Sequence, residues 1–168
     1  MGQPRFHLSI PSSDLAATER WYVEGLGCER GRSSEHALIL SLGGHQLVAQ
    51  LTMPASPIPP QIGIYPRHFG LVFDTLAAWQ ELLTRARRAD LRFGVEPKCR
   101  YRDGALEHHT FFLIDPDHNW LEFKHYRHGE AVLACSHLRS VGDRELRGHA
   151  IAAGANPDGA MAAGPPAG

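Results

Sequence analysis

The sequence lacks any apolar run near the roughly 18 residues that a membrane span requires. It also lacks a basic block or an Arg-rich face, and its formal net charge is −1, which argues against nucleic acid as a partner. Cysteine is scarce. Cys28, Cys99 and Cys135 are an odd number with no CxxC spacing, so neither a disulfide framework nor a thiolate zinc site is expected, only reduced bystander thiols. The opening "MGQPRFHLSI" lacks the charged-then-apolar layout of a secretory signal. Phe6 stands where a myristoylation signal carries Ser or Thr. The expectation is a cytoplasmic protein with no nucleic-acid or membrane partner.

What the chain does have is an internal echo. Aligning His7 with His68 also aligns Leu15-Ala16-Ala17 with Leu76-Ala77-Ala78. Each copy opens on a short alternating strand, passes a polar turn (Ser12-Ser13-Asp14; Asp74-Thr75) and becomes a helix. Strand-like segments follow. In the first copy these are His36–Leu42 and His45–Met53, joined by the hairpin signal Gly43-Gly44. In the second they are the region of "RFGVEP" and "KCRYR", then "HHTFFLI", then "WLEFKHY". The reading is an α+β chain with modules over 1–54 and 67–128, joined by a Pro-rich linker over 55–66. Residues 129–168 form a C-terminal extension expected to be largely disordered, with a short helix possible over Leu138–Ile151.

Alternation along strands sorts the side chains. Phe6, Leu8 and Ile10 oppose His7 and Ser9, and Phe69, Leu71 and Phe73 oppose His68, Gly70 and Val72. In the last strand Trp120, Glu122, Lys124 and Tyr126 share one face. A carboxylate flanked by Leu121 and Phe123 is costly to bury without a charged partner. Each residue taken alone has a bland explanation: a hydrogen-bonded histidine, or Glu122 paired with Lys124. Taken together, in register with the repeat, His7, His68 and Glu122 form the two-histidine, one-carboxylate set of non-haem Fe(II) sites. Mn(II), Ni(II) or Zn(II) are alternatives.

The segments "FHLSIPSSDLAATERWYVEGLG", "RHFGLVFD" and "FFLIDPDHNWLEFKHY" resemble the vicinal oxygen chelate superfamily of glyoxalases, extradiol dioxygenases, fosfomycin-resistance proteins and bleomycin-binding proteins. The resemblance covers about residues 5 to 127. It implies two βαβββ modules whose mixed sheets form a cup around a metal, with His7, His68 and Glu122 at the ligand positions. It implies a homodimer as the expected assembly, the cup being completed in one chain or across two.

Small extradiol dioxygenases, including those opening L-DOPA, are the branch the sequence most resembles. That branch implies Fe(II), O₂ and a catechol-type aromatic substrate. Histidine, with a pKa near 6.5, suits acid–base exchange with such a substrate, and His108 or His109 is the candidate, one of them facing inward. Tyr101 could hydrogen-bond a phenolic oxygen. Arg100, Arg102, Lys124 and Tyr126 are candidates for holding substrate. In glyoxalase-like and epimerase-like members a fourth ligand comes from the last strand of the first module, where Gln50 stands; there the metal acts as a Lewis acid for proton transfer. A fosfomycin-type thiol transferase and a metal-free binding protein are further readings. His118 is expected to be a turn variant, and His125 structural.

Overall fold

The computed structural model describes residues 4–52, 59–138, 140 and 141. Residues 1–134 form one unit and 135–168 another. The first unit holds two sheets of four strands built on one plan. In the first module β1 (His7–Ser12) leads into α1 (Leu15–Glu19), and β2 (Glu29–Ser33), β3 (Ala37–Leu42) and β4 (His45–Leu51) follow, giving the order β1-β4-β3-β2. The second module repeats it with β5 (Phe69–Val72), α2 (Leu76–Arg88), β6 (Phe93–Arg100), β7 (His108–Ile114) and β8 (Trp120–Tyr126), ordered β5-β8-β7-β6. Each module is thus βαβββ, the α+β plan read from the sequence.

The polar turns act as helix caps. Asp14 Oδ1 accepts from the backbone N–H of Ala16 and Ala17 (2.8 and 3.1 Å), and Thr75 Oγ1 accepts from Ala78 N (3.2 Å). The first helix departs from expectation, because beyond Glu19 it widens into a π-helical stretch, Arg20–Leu26. That stretch buries Tyr22 and Leu26 and ends at Gly27, whose φ of 90° lies in the left-handed region. The two modules share one core. Leu38, Leu40, Leu47, Tyr22, Trp79, Phe111, Leu113, Leu121 and Phe123 pack between helices and sheets. Trp79 Nε1 donates to Phe123 O (2.9 Å), so α2 is fastened to β8. Arg85 of α2 donates to the carbonyls of Gly25, Glu24 and Val23 (3.1, 3.0 and 3.3 Å), satisfying the open end of the π-helical stretch.

In the first module the strand directly after the helix, β2, is the one of the βαβββ plan that the residue pattern does not show clearly. Its residues, Glu29-Arg30-Gly31-Arg32-Ser33, are mostly exposed at a sheet edge, where no apolar alternation is required. The described end of the linker is not simply extended. Gln61 Nε2 donates to Gly63 O and Arg67 O (2.9 and 2.6 Å), and Gln61 O accepts from Trp120 Nε1 (3.3 Å), which fastens it to β8. A 3₁₀ turn at Gly129–Ala131 belongs to the first unit. Beyond Leu138, the expected helix over Leu138–Ile151 and the Gly/Pro tail lie almost wholly outside the described residues.

Candidate metal centre

Strand pairing places Glu122 opposite Gly70 on β5 and opposite Phe112 on β7. Leu121 and Phe123 point to the helices and are fully buried, so Glu122 points to the other face, yet it is only 8% exposed. Three groups hold it. Thr110 Oγ1 donates to Oε1 (2.8 Å), while His68 Nε2 and Lys124 Nζ lie 3.1 and 2.9 Å from Oε2. Lys124 is therefore a direct counter-charge, and the bland reading of Glu122 is part of the answer.

His68 Nδ1 lies 2.7 Å from Ile64 O. A carbonyl only accepts, so a proton sits on Nδ1, and Nε2 is the ring atom that faces Glu122. The ring stands edge-on to Phe112, centroids 5.3 Å apart. His7 repeats the arrangement, with Nδ1 2.7 Å from Gln46 Oε1, its partner across the β1–β4 ladder. Fixing Nδ1–H with a second group so that Nε2 is bare is how metal-ligating imidazoles are oriented. The donor set of His68, Glu122 and His7 thus suits a divalent ion.

His7 is not grouped with His68 and Glu122 within 4.8 Å among the described residues. Among the described residues, the group of His, Cys and carboxylate side chains whose ligand atoms lie within 4.8 Å of one another is Cys99, Glu107 and His109. His68 and Glu122 form a half-site, and His7 is exposed on the first sheet.

Register also sets the position of Gln50. Two residues beyond His68, Gly70 pairs with Glu122; two residues beyond His7, Ser9 pairs with Val48. Val48 therefore occupies the repeat-equivalent of Glu122. Gln50 pairs with Pro11 and corresponds to Lys124, which pairs with Val72.

β7 decides between the two histidines. His108, Thr110 and Phe112 share a face with Glu122, and His108 pairs with Tyr126 across β8. His109 turns to the helices, its ring 5.4 Å from Trp79, so it does not reach the Glu122 face. His108 is 4% exposed; its Nδ1 donates to Leu106 O (2.8 Å), and its buried Nε2 has no hydrogen-bond partner. Burial pushes its pKa below 6.5, the charges of Lys124 and Arg100 add to the effect, and the Leu106 bond and Glu122 oppose it. It is a neutral imidazole with a bare nitrogen. Its walls are Tyr126 and Tyr101, ring centroids at 4.7 and 5.8 Å. Arg100 pairs with His108 across β6 and lies 5.3 Å from the Tyr101 centroid. Arg102 is exposed on the turn that follows. That turn is ordered: Gly104 N donates to Tyr101 O and Glu107 N to Gly104 O (2.9 and 3.0 Å).

The "DPDHN" turn is structural. Asp115 Oδ1 accepts from Asp117 N and Asn119 N (2.9 and 2.7 Å), and Oδ2 accepts from Tyr22 OH and Asn119 Nδ2 (2.9 and 2.8 Å). Asp117 Oδ1 accepts from the backbone and hydroxyl of Ser13 (2.8 and 2.5 Å). The motif thereby locks the β8 entry to the first module's helix. His118 sits at φ 63°, as a turn variant should, and His125 Nδ1 is 3.0 Å from Phe73 O, a structural role. Sequence reasoning missed Thr110 and Gln46, although alternation from Glu122 and His7 would have put both on the right face.

Comparison with known proteins agrees with this fold. Residues 6–123 match the Glyoxalase/Bleomycin resistance protein/Dioxygenase superfamily, and the chain belongs to that family. A glyoxalase/bleomycin resistance protein/dioxygenase from Alicyclobacillus acidocaldarius is 35% identical, with 76% of this chain and 95% of that one covered and a TM-score of 0.71. A genomically encoded fosfomycin resistance protein from Listeria monocytogenes is 14% identical (78% and 99% covered, TM-score 0.59). Lactoylglutathione lyase from Agrobacterium tumefaciens is 19% identical (74% and 94% covered, TM-score 0.54). These last two share the fold. No curated protein sequence matches.

Proposed function

We propose that the protein is a metal-dependent oxygenase that opens a catechol-type ring beside its diol, with Fe(II) held by His68 and Glu122 of one chain and His7 of a second copy. Mn(II), Ni(II) and Zn(II) fit the same donors. The observation that carries this reading is Val48: with an apolar residue at the fourth-ligand position, the ion keeps three protein ligands and open positions, as oxygenase chemistry requires. A glyoxalase-type or epimerase-type site would want a carboxylate or amide there, and Gln50 is two residues out of register.

When bound, the metal supplies a Lewis-acidic centre at which substrate and O₂ meet. The chain's own residues do the rest. Thr110 and Lys124 hold the Glu122 carboxylate. Ile64 O and Gln46 Oε1 orient the two imidazoles. Along β7, His108 lies four positions from Phe112, roughly 13 Å of strand, so an extended small molecule spans the two ends. A flat ring suits the aromatic surfaces of Phe112, Tyr126 and Tyr101. His108 Nε2 accepts a substrate proton as base and returns it as acid, and Tyr101 donates to a phenolic oxygen. Lys124 and Arg100 favour a substrate bearing a carboxylate, as L-DOPA does. Arg102, exposed, contributes only as part of the turn.

A second reading has one observation in its favour. The same two cations would attract a phosphonate, as a fosfomycin-type transferase needs. The deciding experiment is anaerobic Fe(II) reconstitution of metal-stripped protein, then O₂ uptake and visible absorbance with L-DOPA and simple catechols. Iron-dependent uptake with a yellow ring-opened product, lost in His68→Ala, is expected. Tight metal binding with no uptake on any catechol rejects the oxygenase and leaves phosphonate or carbonyl chemistry to test.

A further inference from the structure

The opposite face of the second sheet carries a separate cluster. Cys99 and His109 are direct cross-strand partners on β6 and β7, a spacing that brings Cβ atoms to roughly 5 Å. Glu107, two residues before His109, falls on the same side by alternation. One ligand atom from each of the three lies within 4.8 Å of the others. Lys98 and Arg100, flanking Cys99, pair with Thr110 and His108 and so belong to the Glu122 face. The cluster is thus isolated from the centre described above by the sheet itself.

Its surroundings are those of an oriented site. Asp103 N and Arg127 Nη1 donate to Glu107 Oε2 (2.6 and 3.0 Å), which fixes the carboxylate plane. The Trp79 ring restrains His109 from the helix side. Cys99 and His109 are half-buried and Glu107 is buried, so an ion there meets three protein donors and water.

We infer that Cys99, Glu107 and His109 form a second metal site, for a borderline divalent cation such as Zn(II) or Co(II). Thiolate, imidazole and carboxylate together suit these ions far better than Mg(II) or Ca(II), which take oxygen donors. Binding replaces the thiol proton of Cys99, released to solvent, with the metal. The ion would join β6, β7 and the 101–107 turn that carries Tyr101. The inference is independent of the proposed activity, since no ligand is shared.

Co(II) titration of metal-stripped, reduced protein tests it, because among the described residues the grouped donors that include a thiol are those of Cys99, Glu107 and His109. A near-ultraviolet thiolate-to-cobalt charge-transfer band saturating at one equivalent per chain is expected. It should vanish in Cys99→Ser, weaken strongly in His109→Gln and persist in His68→Ala. Absence of the band in wild-type protein at saturating Co(II), or its persistence in Cys99→Ser, overturns the site. Should a variant fail to fold, wild-type protein still decides. Zn(II) at about ten times its dissociation constant should slow iodoacetamide labelling of Cys99, read by peptide mapping, about tenfold. An unchanged rate refutes the proposal.

Discussion

Gly70 lies directly opposite Glu122 across the parallel β5–β8 ladder, and a Cβ on Gly70 would collide with the Glu122 backbone. The close approach sets where the carboxylate sits relative to His68. Gly70→Ala should push β5 off β8, costing on the order of 1–3 kcal/mol in urea unfolding. Metal affinity should fall by more than stability alone explains, since the His68–Glu122 spacing is what changes. Wild-type metal affinity in the variant would remove the glycine's role in the site.

His7 stands apart from the half-site that His68 and Glu122 make, which predicts complementation. His7→Ala and His68→Ala chains should each be inactive alone. Co-expressed, half of the dimers are mixed and each contains one intact trio, so about a quarter of wild-type activity should return. Metal content per dimer should follow. No recovery in a verified mixed dimer would mean that each site is built from one chain.

The buried neutral His108 gives a pH signature. Its folded pKa is below the ordinary 6.5, so in the interval between the two values the unfolded chain binds the extra proton and the native state does not. Stability should therefore fall as pH drops through 6.5 and level off below the folded pKa. Urea midpoints of the metal-free protein between about pH 5 and 8 should show that slope, and His108→Gln should flatten it. An unchanged slope in the variant would assign the effect to another group.

Cys28 is 7% exposed, and burial lifts its pKa to about 12. A thiol so protonated and enclosed should resist iodoacetamide at pH 8 until the chain unfolds, while half-buried Cys99 reacts in the native state. Peptide mapping across a urea series reads both. Labelling of Cys28 below the unfolding transition would show local opening of the π-helical stretch.

Residue pattern alone fixed a good deal here. The repeat linking His7 to His68, the strands Ala37–Leu42 and Trp120–Tyr126, and the caps Asp14 and Thr75 follow from alternation and local hydrogen bonding, which act over a few residues. The same local rules put Glu122 on the face opposite Leu121 and Phe123. They could not find β2, because an exposed edge strand of charged residues has no burial contrast to read. Nor could they separate Val48 from Gln50, or His108 from His109. Those choices depend on lateral register between strands distant in sequence, which packing of the whole sheet sets. Cys99 looked like a bystander for the same reason: its partners, Glu107 and His109, come to it across a ladder. Side-chain chemistry and its two-residue rhythm were written in the sequence, whereas which donors meet was decided by strand pairing, because only the folded sheets bring residues of distant segments within bonding distance.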